Sequence, residues 1–118
     1  MSDLGDDAKD AEYTRLLVGK WKGDELDKGI QWHYITIYNP DSTHSGFGAG
    51  LKNGSSMPFH SSGRWFVKHS RLHVWVEASP TLPAAEKQEF IYPIVSVDEK
   101  AFRWESTIGE VFTHHRVG

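Results

Sequence analysis

Seven histidines are the residues of this 118-residue chain best suited to proton transfer or metal binding. His114 and His115 are adjacent, so on a strand only one of the two can face inward. An inward histidine in an enclosed site could act as a general base, bind a haem iron or hydrogen-bond to a ligand. A zinc site needs three or more converging ligands. His33, His73 and His114 lie on three predicted strands, but their spacing gives no support for convergence, and we predict no metal site.

Carboxylates are the second group that could carry acid–base chemistry. Glu77, Glu89 and Glu105 lie on predicted strands, with arginines on neighbouring strands, and cross-strand pairs on a solvated outer face are the expected arrangement. A carboxylate inside an apolar lumen would instead have a raised pKa and could act as an acid or base. Residues 46–50 (GFGAG) are rich in glycine but precede no helix, so they do not form a phosphate cradle. We assign no catalytic residue.

Aromatic residues make up 13% of the chain, more than a narrow barrel can pack inward. Some must therefore face outward or line an incompletely filled cavity. Outward aromatics on several strands would form a patch for a partner or an oligomer. Inward tryptophan and tyrosine would provide apolar walls with a polar group, as small-molecule pockets do.

The elements that carry these residues alternate with a period of two. Residues 8–18 have the apolar spacing of a short helix, which Asp6 or Asp7 could cap and which Gly19 would end. About eight short strands follow, separated by turn residues and without a crossover helix. We predict a disordered tail at residues 1–7. Residues 8–118 are expected to form one all-β domain, an antiparallel up-and-down barrel of about eight strands with a short N-terminal helix.

Three places are expected to interrupt the strand pattern. Residues 50–57 are predicted to form a polar loop. The glycines at 46, 48 and 50 indicate a bulge or sharp bend, and Pro93 indicates an edge or bulge within a strand over residues 87–97.

Composition excludes several classes of protein. The net charge of −3 is too weak to favour nucleic acid or an anionic membrane through bulk electrostatics. Cysteine is absent, which removes thiolate chemistry and disulfides. The N-terminus lacks the pattern of a secretory signal and no stretch is long and apolar enough to span a membrane. We expect a cytoplasmic protein.

Three segments together resemble the lipocalin-like (calycin) superfamily in its short bacterial form. Residues 17–21 (LVGKW) are similar to its Gly-x-Trp signature, which follows a helix and opens the first strand. Residues 38–43 (YNPDST) are similar to a strand–turn–strand that often carries Asp-Gly-Thr, with Ser42 in place of glycine. Residues 63–65 (GRW) followed by Leu72, and residues 112–117 (FTHHRV), fall where such chains place a central strand pair and a terminal arginine strand.

The resemblance implies roles for residues at the barrel floor. In that family the signature tryptophan closes the floor and the terminal arginine stacks across it, which corresponds to Trp21 and Arg116. Avidin-like barrels share the opening of residues 17–21. Nitrobindin-like haem barrels begin with a motif similar to residues 19–23 (GKWKG) and place a haem-binding histidine on a late strand, where His114 or His115 stands. Haem is therefore one alternative for a cofactor that is otherwise unknown.

Together these features favour binding of a small, largely apolar ligand inside the barrel. The predicted ligand-binding residues are Trp32, Tyr34, Trp65, Trp75, Trp104, His114 and His115. One alternative is a small barrel enzyme that uses a buried glutamate, such as Glu105, or a lumen histidine as acid or base. The other is a dimeric interaction module with a packed core and an outward aromatic patch.

Overall fold

The computed structural model describes residues 2–27, 29–79, 86–106 and 108–117, and every structural statement below concerns these residues. One helix precedes eight strands. They are α1 (Ser2–Leu17), β1 (Gly19–Asp27), β2 (Ile30–Tyr38), β3 (Thr43–Lys52), β4 (Ser55–Lys68), β5 (Arg71–Ala78), β6 (Gln88–Val97), β7 (Ala101–Glu105) and β8 (Val111–Arg116). Helix α1 therefore begins at Ser2 rather than near residue 8, so Asp6 and Asp7 lie within it and not at its start.

Each strand pairs antiparallel with the next one along the chain, and β8 returns to pair with β1. The predicted fold class, a closed eight-stranded antiparallel barrel with a short N-terminal helix, is confirmed. The seam that closes the barrel is short. Its register pairs β1 with β8 at Trp21–Arg116 and Lys22–His115, and the Val117 N–H donates to the Lys20 carbonyl oxygen at 3.0 Å.

Helix α1 covers one end of the barrel, which we call the floor. Leu17 and Trp21 are both 0% exposed there, and Phe102 and Leu72 are also buried. The indole N–H of Trp21 donates to the Leu17 carbonyl oxygen at 2.8 Å, and the Trp21 ring meets the Phe102 ring edge to face at 6.2 Å. Apolar burial at this end therefore holds the helix, whose short length would not make it stable alone.

A buried carboxylate attaches α1 to the turn between β4 and β5. Asp10 accepts hydrogen bonds from the backbone N–H groups of His69 and Ser70, each at 2.8 Å. Both turn residues have positive φ, 53° and 59°, which suits a two-residue hairpin turn but is uncommon for residues other than glycine. Asp10 thus stabilises a turn that contains no glycine.

The hairpin between β3 and β4 differs from the prediction. Residues 50–57 are not a polar loop, because β3 continues to Lys52 and β4 begins at Ser55. Asn53 and Gly54 form the turn with φ values of 53° and 80°. Asn-Gly is the sequence most favoured for a two-residue hairpin turn because both positions require positive φ. The Asn-Gly pair thus predicts a hairpin turn, and this local signal outweighs the polar composition that suggested a loop.

The glycine run of β3 produces neither a bulge nor a break in register. Pairing of β3 with β2 and with β4 is continuous from residue 44 to residue 51. The irregularity near Pro93 does occur, as a register shift between Ile94 and Ser96 where β6 pairs with β7. Pro93 itself is exposed and lies opposite Arg71 in the β5–β6 pairing.

Candidate functional site

The interior of the barrel is not filled. A cavity of about 790 Å³ lies above the floor and opens at the opposite end. Every strand contributes an inward side chain, and the opening is bordered by Leu26 and Ile108, which are 66% and 78% exposed. Nine of the lining residues are aromatic: Trp32, Tyr34, Tyr38, Phe59, Phe90, Tyr92, Phe102, Trp104 and Phe112.

Inward glycines give the large aromatic rings their positions. A Cβ added at Gly23 would lie 2.5 Å from Cζ of Tyr34, which stands opposite it in the β1–β2 pairing. A Cβ at Gly50 would lie 2.8 Å from Cζ3 of Trp32, its partner in the β2–β3 pairing. Each ring therefore fills the space that a side chain at the paired glycine would occupy. The rings lie against the wall, and the centre of the barrel stays open.

Three polar side chains meet on the cavity wall, and we call them the polar triangle: Glu25, Tyr34 and His114. The Tyr34 hydroxyl donates to Oε1 of Glu25 at 2.6 Å and lies 2.8 Å from Nε2 of His114. The same Nε2 atom lies 2.7 Å from Oε1 of Glu25. All three atoms are thus within hydrogen-bond distance of one another, in a site where the side chains of Glu25 and His114 are 14% and 6% exposed.

The contacts of His114 indicate which nitrogen holds its proton. Nδ1 is buried and has no hydrogen-bond partner among the described residues. A carboxylate oxygen can only accept a hydrogen bond, so the 2.7 Å contact with Oε1 of Glu25 requires a proton on Nε2. The indole N–H of Trp104 is directed at the same nitrogen from 3.2 Å.

Tyr34 keeps its hydroxyl proton and acts as a hydrogen-bond donor. Burial raises its pKa far above the ordinary value, and the negative charge of Glu25 raises it further. In the polar triangle, one oxygen of the Glu25 carboxylate therefore accepts two hydrogen bonds. Its chemical capacity is to accept hydrogen bonds or a proton from a molecule in the cavity.

His44 is a second inward histidine, and sequence analysis did not single it out. It is 3% exposed and its Nε2 donates to the carbonyl oxygen of Trp75 at 3.0 Å. Burial lowers its pKa, so the ring is neutral at neutral pH. His44 therefore contributes an uncharged section of the wall.

Four of the predicted ligand-binding residues line the cavity: Trp32, Tyr34, Trp104 and His114. Trp65 does not, because it is buried with the floor cluster and donates its indole N–H to the Asn39 carbonyl oxygen at 3.0 Å. Trp75 and His115 are exposed on the outer surface, so the structure does not place them in the site.

Strand alternation explains these two corrections. On β5 the inward positions are held by Leu72, Val74 and Val76, which turns Trp75 outward. On β8 the inward positions above the floor are held by Phe112 and His114, which turns His115 outward.

The carboxylates that sequence analysis considered for chemistry also face outward, as do His33 and His73. Glu77 and Glu89 pair with Arg64 and His73, and Glu105 is exposed. His33 likewise pairs with Asp24 on the outer surface. The three histidines weighed as zinc ligands therefore do not converge.

Glu25 is the functional candidate that sequence reasoning missed. It shares the inward face of β1 with Trp21 and Gly23, and simple alternation from the buried Trp21 would have placed it in the lumen.

Haem does not fit this site. An axial histidine needs a free ring nitrogen directed at the iron. In His114, Nε2 is already within hydrogen-bond distance of both Glu25 and Tyr34, and Nδ1 is buried against the wall. His115 faces outward. The structure thus offers no axial ligand at either position named from the sequence.

The architecture is consistent with a lipocalin-like fold: a helix-covered, closed antiparallel barrel with an internal cavity. No protein-family model matches the chain, and no curated protein matches it. Within the described residues, no helix is both long and apolar enough to cross a membrane.

Proposed function

We propose that this protein binds a small, largely apolar molecule inside its barrel. The observation that carries the proposal is the open aromatic cavity, whose volume of about 790 Å³ falls within the roughly 300–1,000 Å³ of ligand pockets. Burial of apolar ligand surface against these rings supplies the affinity, at about 25 cal/mol for each Å² removed from water. The polar triangle supplies orientation, because a few convergent polar groups fix a ligand's pose in an apolar pocket.

We also propose that the chain is a member of the lipocalin-like (calycin) superfamily. The supporting features are the helix-covered floor and the position of Arg116 over Trp21, with its Cζ 4.3 Å from the ring centroid. These match the roles that the resemblance implies for those two residues.

Native mass spectrometry of the protein purified from its own host is the direct test. A retained small-molecule mass at one copy per chain supports the proposal. Titration with the neutral dye N-phenyl-1-naphthylamine gives a second measurement, with enhanced dye fluorescence expected at a stoichiometry of one.

A matched pair of variants locates the bound dye. Thr36 lines the cavity, and the next residue of β2, Ile37, lies on the outer face. Thr36→Trp should fill the lumen and weaken dye binding by about tenfold or more, whereas Ile37→Trp should leave it unchanged. Equal effects of the two substitutions, or dye binding that persists in Thr36→Trp, would contradict an interior site.

Acid–base catalysis on the bound molecule is a second candidate, favoured by the polar triangle itself. A carboxylate that contacts both a hydroxyl and an imidazole on a cavity wall can remove a proton from a carbon acid and return it. Once native mass spectrometry has given the ligand, incubation in D₂O would show deuterium uptake into it. Glu25→Gln should stop that uptake while binding persists. Uptake at the same rate in the variant would exclude this role.

The alternative of a dimeric module has a separate structural basis. Phe66, Trp75 and Ile91 are exposed on the outer face of three consecutive strands, and Phe66 stacks on His73 at 4.5 Å. The open interior argues against the packed core of that alternative. A dimer mass in the same native spectra, without a retained ligand, would favour it over interior binding.

A further inference from the structure

We propose that the molecule bound in the barrel is an apolar amine, held as its ammonium ion with the charged nitrogen on Oε2 of Glu25. This inference rests on the proposed binding function and adds the chemical class of the ligand. It follows from the charges of the lining, the unused oxygen of Glu25 and the aromatic walls around it.

The described residues that line the cavity carry negative rather than positive side chains. Glu25 and Glu110 line it, and no lysine or arginine is among the described lining residues. Arg116 is directed at the floor instead, where its guanidinium donates to the carbonyl oxygens of Leu16, Val18 and Glu99. A guest ammonium would therefore meet no like charge from these residues.

Two histidines share the wall with Glu25. Burial lowers the pKa of His44, and its N–H is used by the carbonyl oxygen of Trp75. His114 contacts Oε1 of Glu25 through Nε2, while its buried Nδ1 has no hydrogen-bond partner among the described residues. No lysine or arginine among the described lining residues supplies the countercharge that a buried carboxylate normally has.

Among the described residues, hydrogen-bond donors reach one oxygen of Glu25 and not the other. Oε1 accepts from the Tyr34 hydroxyl and from Nε2 of His114. No described residue donates a hydrogen bond to Oε2. Because Oε1 is fixed by two donors, the carboxylate presents Oε2 in a constant direction, ready for a charge-assisted hydrogen bond from an N–H donor.

The aromatic walls favour the same ligand charge. Tyr34 and Trp32 each contact Phe59, at centroid distances of 6.3 and 5.6 Å, and Trp104 stacks on Phe112 at 4.9 Å. Faces of such rings attract cations, while the apolar remainder of the ligand is buried against them. An anionic ligand would gain nothing from the rings and would face the charge of Glu25.

Three naphthalene probes of nearly equal size test the inference by isothermal titration calorimetry at neutral pH and low salt. They are 1-naphthylmethylamine, a cation; 1-naphthalenemethanol, neutral; and 1-naphthoate, an anion. We expect the amine to bind about tenfold tighter than the alcohol and the acid to bind weakest. If the alcohol binds as tightly as the amine, the amine inference is overturned and the proposed function stands. If none of the three binds, both are overturned.

The variant Glu25→Gln tests whether Glu25 is the group that prefers the amine. It should lower the affinity for the amine about tenfold and leave the affinity for the alcohol nearly unchanged. The matched control is Glu105→Gln, at an outward carboxylate. Equal losses for the amine in both variants would overturn the assignment to Glu25. Circular dichroism checks that the variants fold; if Glu25→Gln does not fold, the probe series on the wild-type protein decides alone.

Discussion

The guanidinium carbon of Arg116 lies 4.3 Å from the centroid of the Trp21 ring, and its nitrogens donate to the carbonyl oxygens of Leu16, Val18 and Glu99. One side chain of the last strand thus binds the end of the helix and covers the aromatic floor. The three carbonyls lie where α1 ends and where β6 turns into β7. Arg116 therefore ties two segments that are distant in sequence to the closing seam.

Replacing this arginine with lysine should weaken the floor. Lysine cannot keep the planar stack or reach three carbonyl oxygens in a fixed fork. We expect Arg116→Lys to lower the free energy of unfolding by about 1–3 kcal/mol, measured by urea denaturation. Arg103→Lys, on the outer face of β7, should change it by less than about 0.5 kcal/mol. Similar losses in the two variants would show that the stack contributes little.

The turn between β4 and β5 should depend on Asp10. Removing the carboxylate in Asp10→Ala leaves the N–H groups of His69 and Ser70 without their acceptor, at a cost of about 2–3 kcal/mol. Ser70→Gly should offset part of that loss, because glycine adopts positive φ without strain. Urea denaturation of both single variants and the double variant checks this, and a Ser70→Gly substitution that destabilises in both backgrounds would contradict it.

The position of Tyr34 should depend on the absence of a side chain at Gly23. Gly23→Ala places a Cβ within 2.5 Å of the Tyr34 ring, so the ring must move and the polar triangle must open. We expect a loss of about 1–3 kcal/mol in stability, together with weaker binding of the amine probe. The same substitution in a Tyr34→Leu background should cost clearly less. A double-mutant cycle without coupling between the two positions would contradict the contact.

Alkaline pH should unfold the protein rather than ionise its inner tyrosines in place. The pKa of Tyr34, Tyr38 and Tyr92 is raised above the ordinary 10.0, chiefly by burial. In the unfolded chain these hydroxyls ionise near pH 10, so their contribution to stability is complete below that pH and is lost as pH rises above it.

Absorbance at 295 nm and circular dichroism, recorded together during a base titration, check this expectation. The phenolate signal of the three tyrosines should appear in the same cooperative step as the loss of structure. Ionisation of these tyrosines in a protein that stays folded would contradict it. Tyr92→Phe should reduce the steepness of the loss of stability above pH 10.

The barrel was predictable from local patterns because closure needs only alternating strands and tight turns. Which face of each strand points into the barrel was harder to predict, because several strands carry apolar residues on both faces. On β5, Trp75 competes with Leu72, Val74 and Val76 for the interior. Only the register with β4 and β6 decides that the smaller residues fill it. The aromatic content of a strand is therefore a poor guide to which of its faces is inward.

The polar triangle was not predictable as a unit. Glu25 and His114 are 89 residues apart and meet only because β8 returns to β1. Sequence reasoning placed His114 among the candidate polar groups but looked for carboxylates on later strands. The inward position of Glu25 could have been read from its spacing to Trp21, whereas its contact with a specific histidine required the closed barrel.

The seam between β1 and β8 has a consequence for how the wall holds together. Its ladder spans two register pairs beside the floor, and farther along the same two strands Glu25 contacts His114 at 2.7 Å. Local opening is easiest where fewest backbone hydrogen bonds must break. The barrel wall is therefore easiest to open between β1 and β8, while its seven longer ladders stay intact.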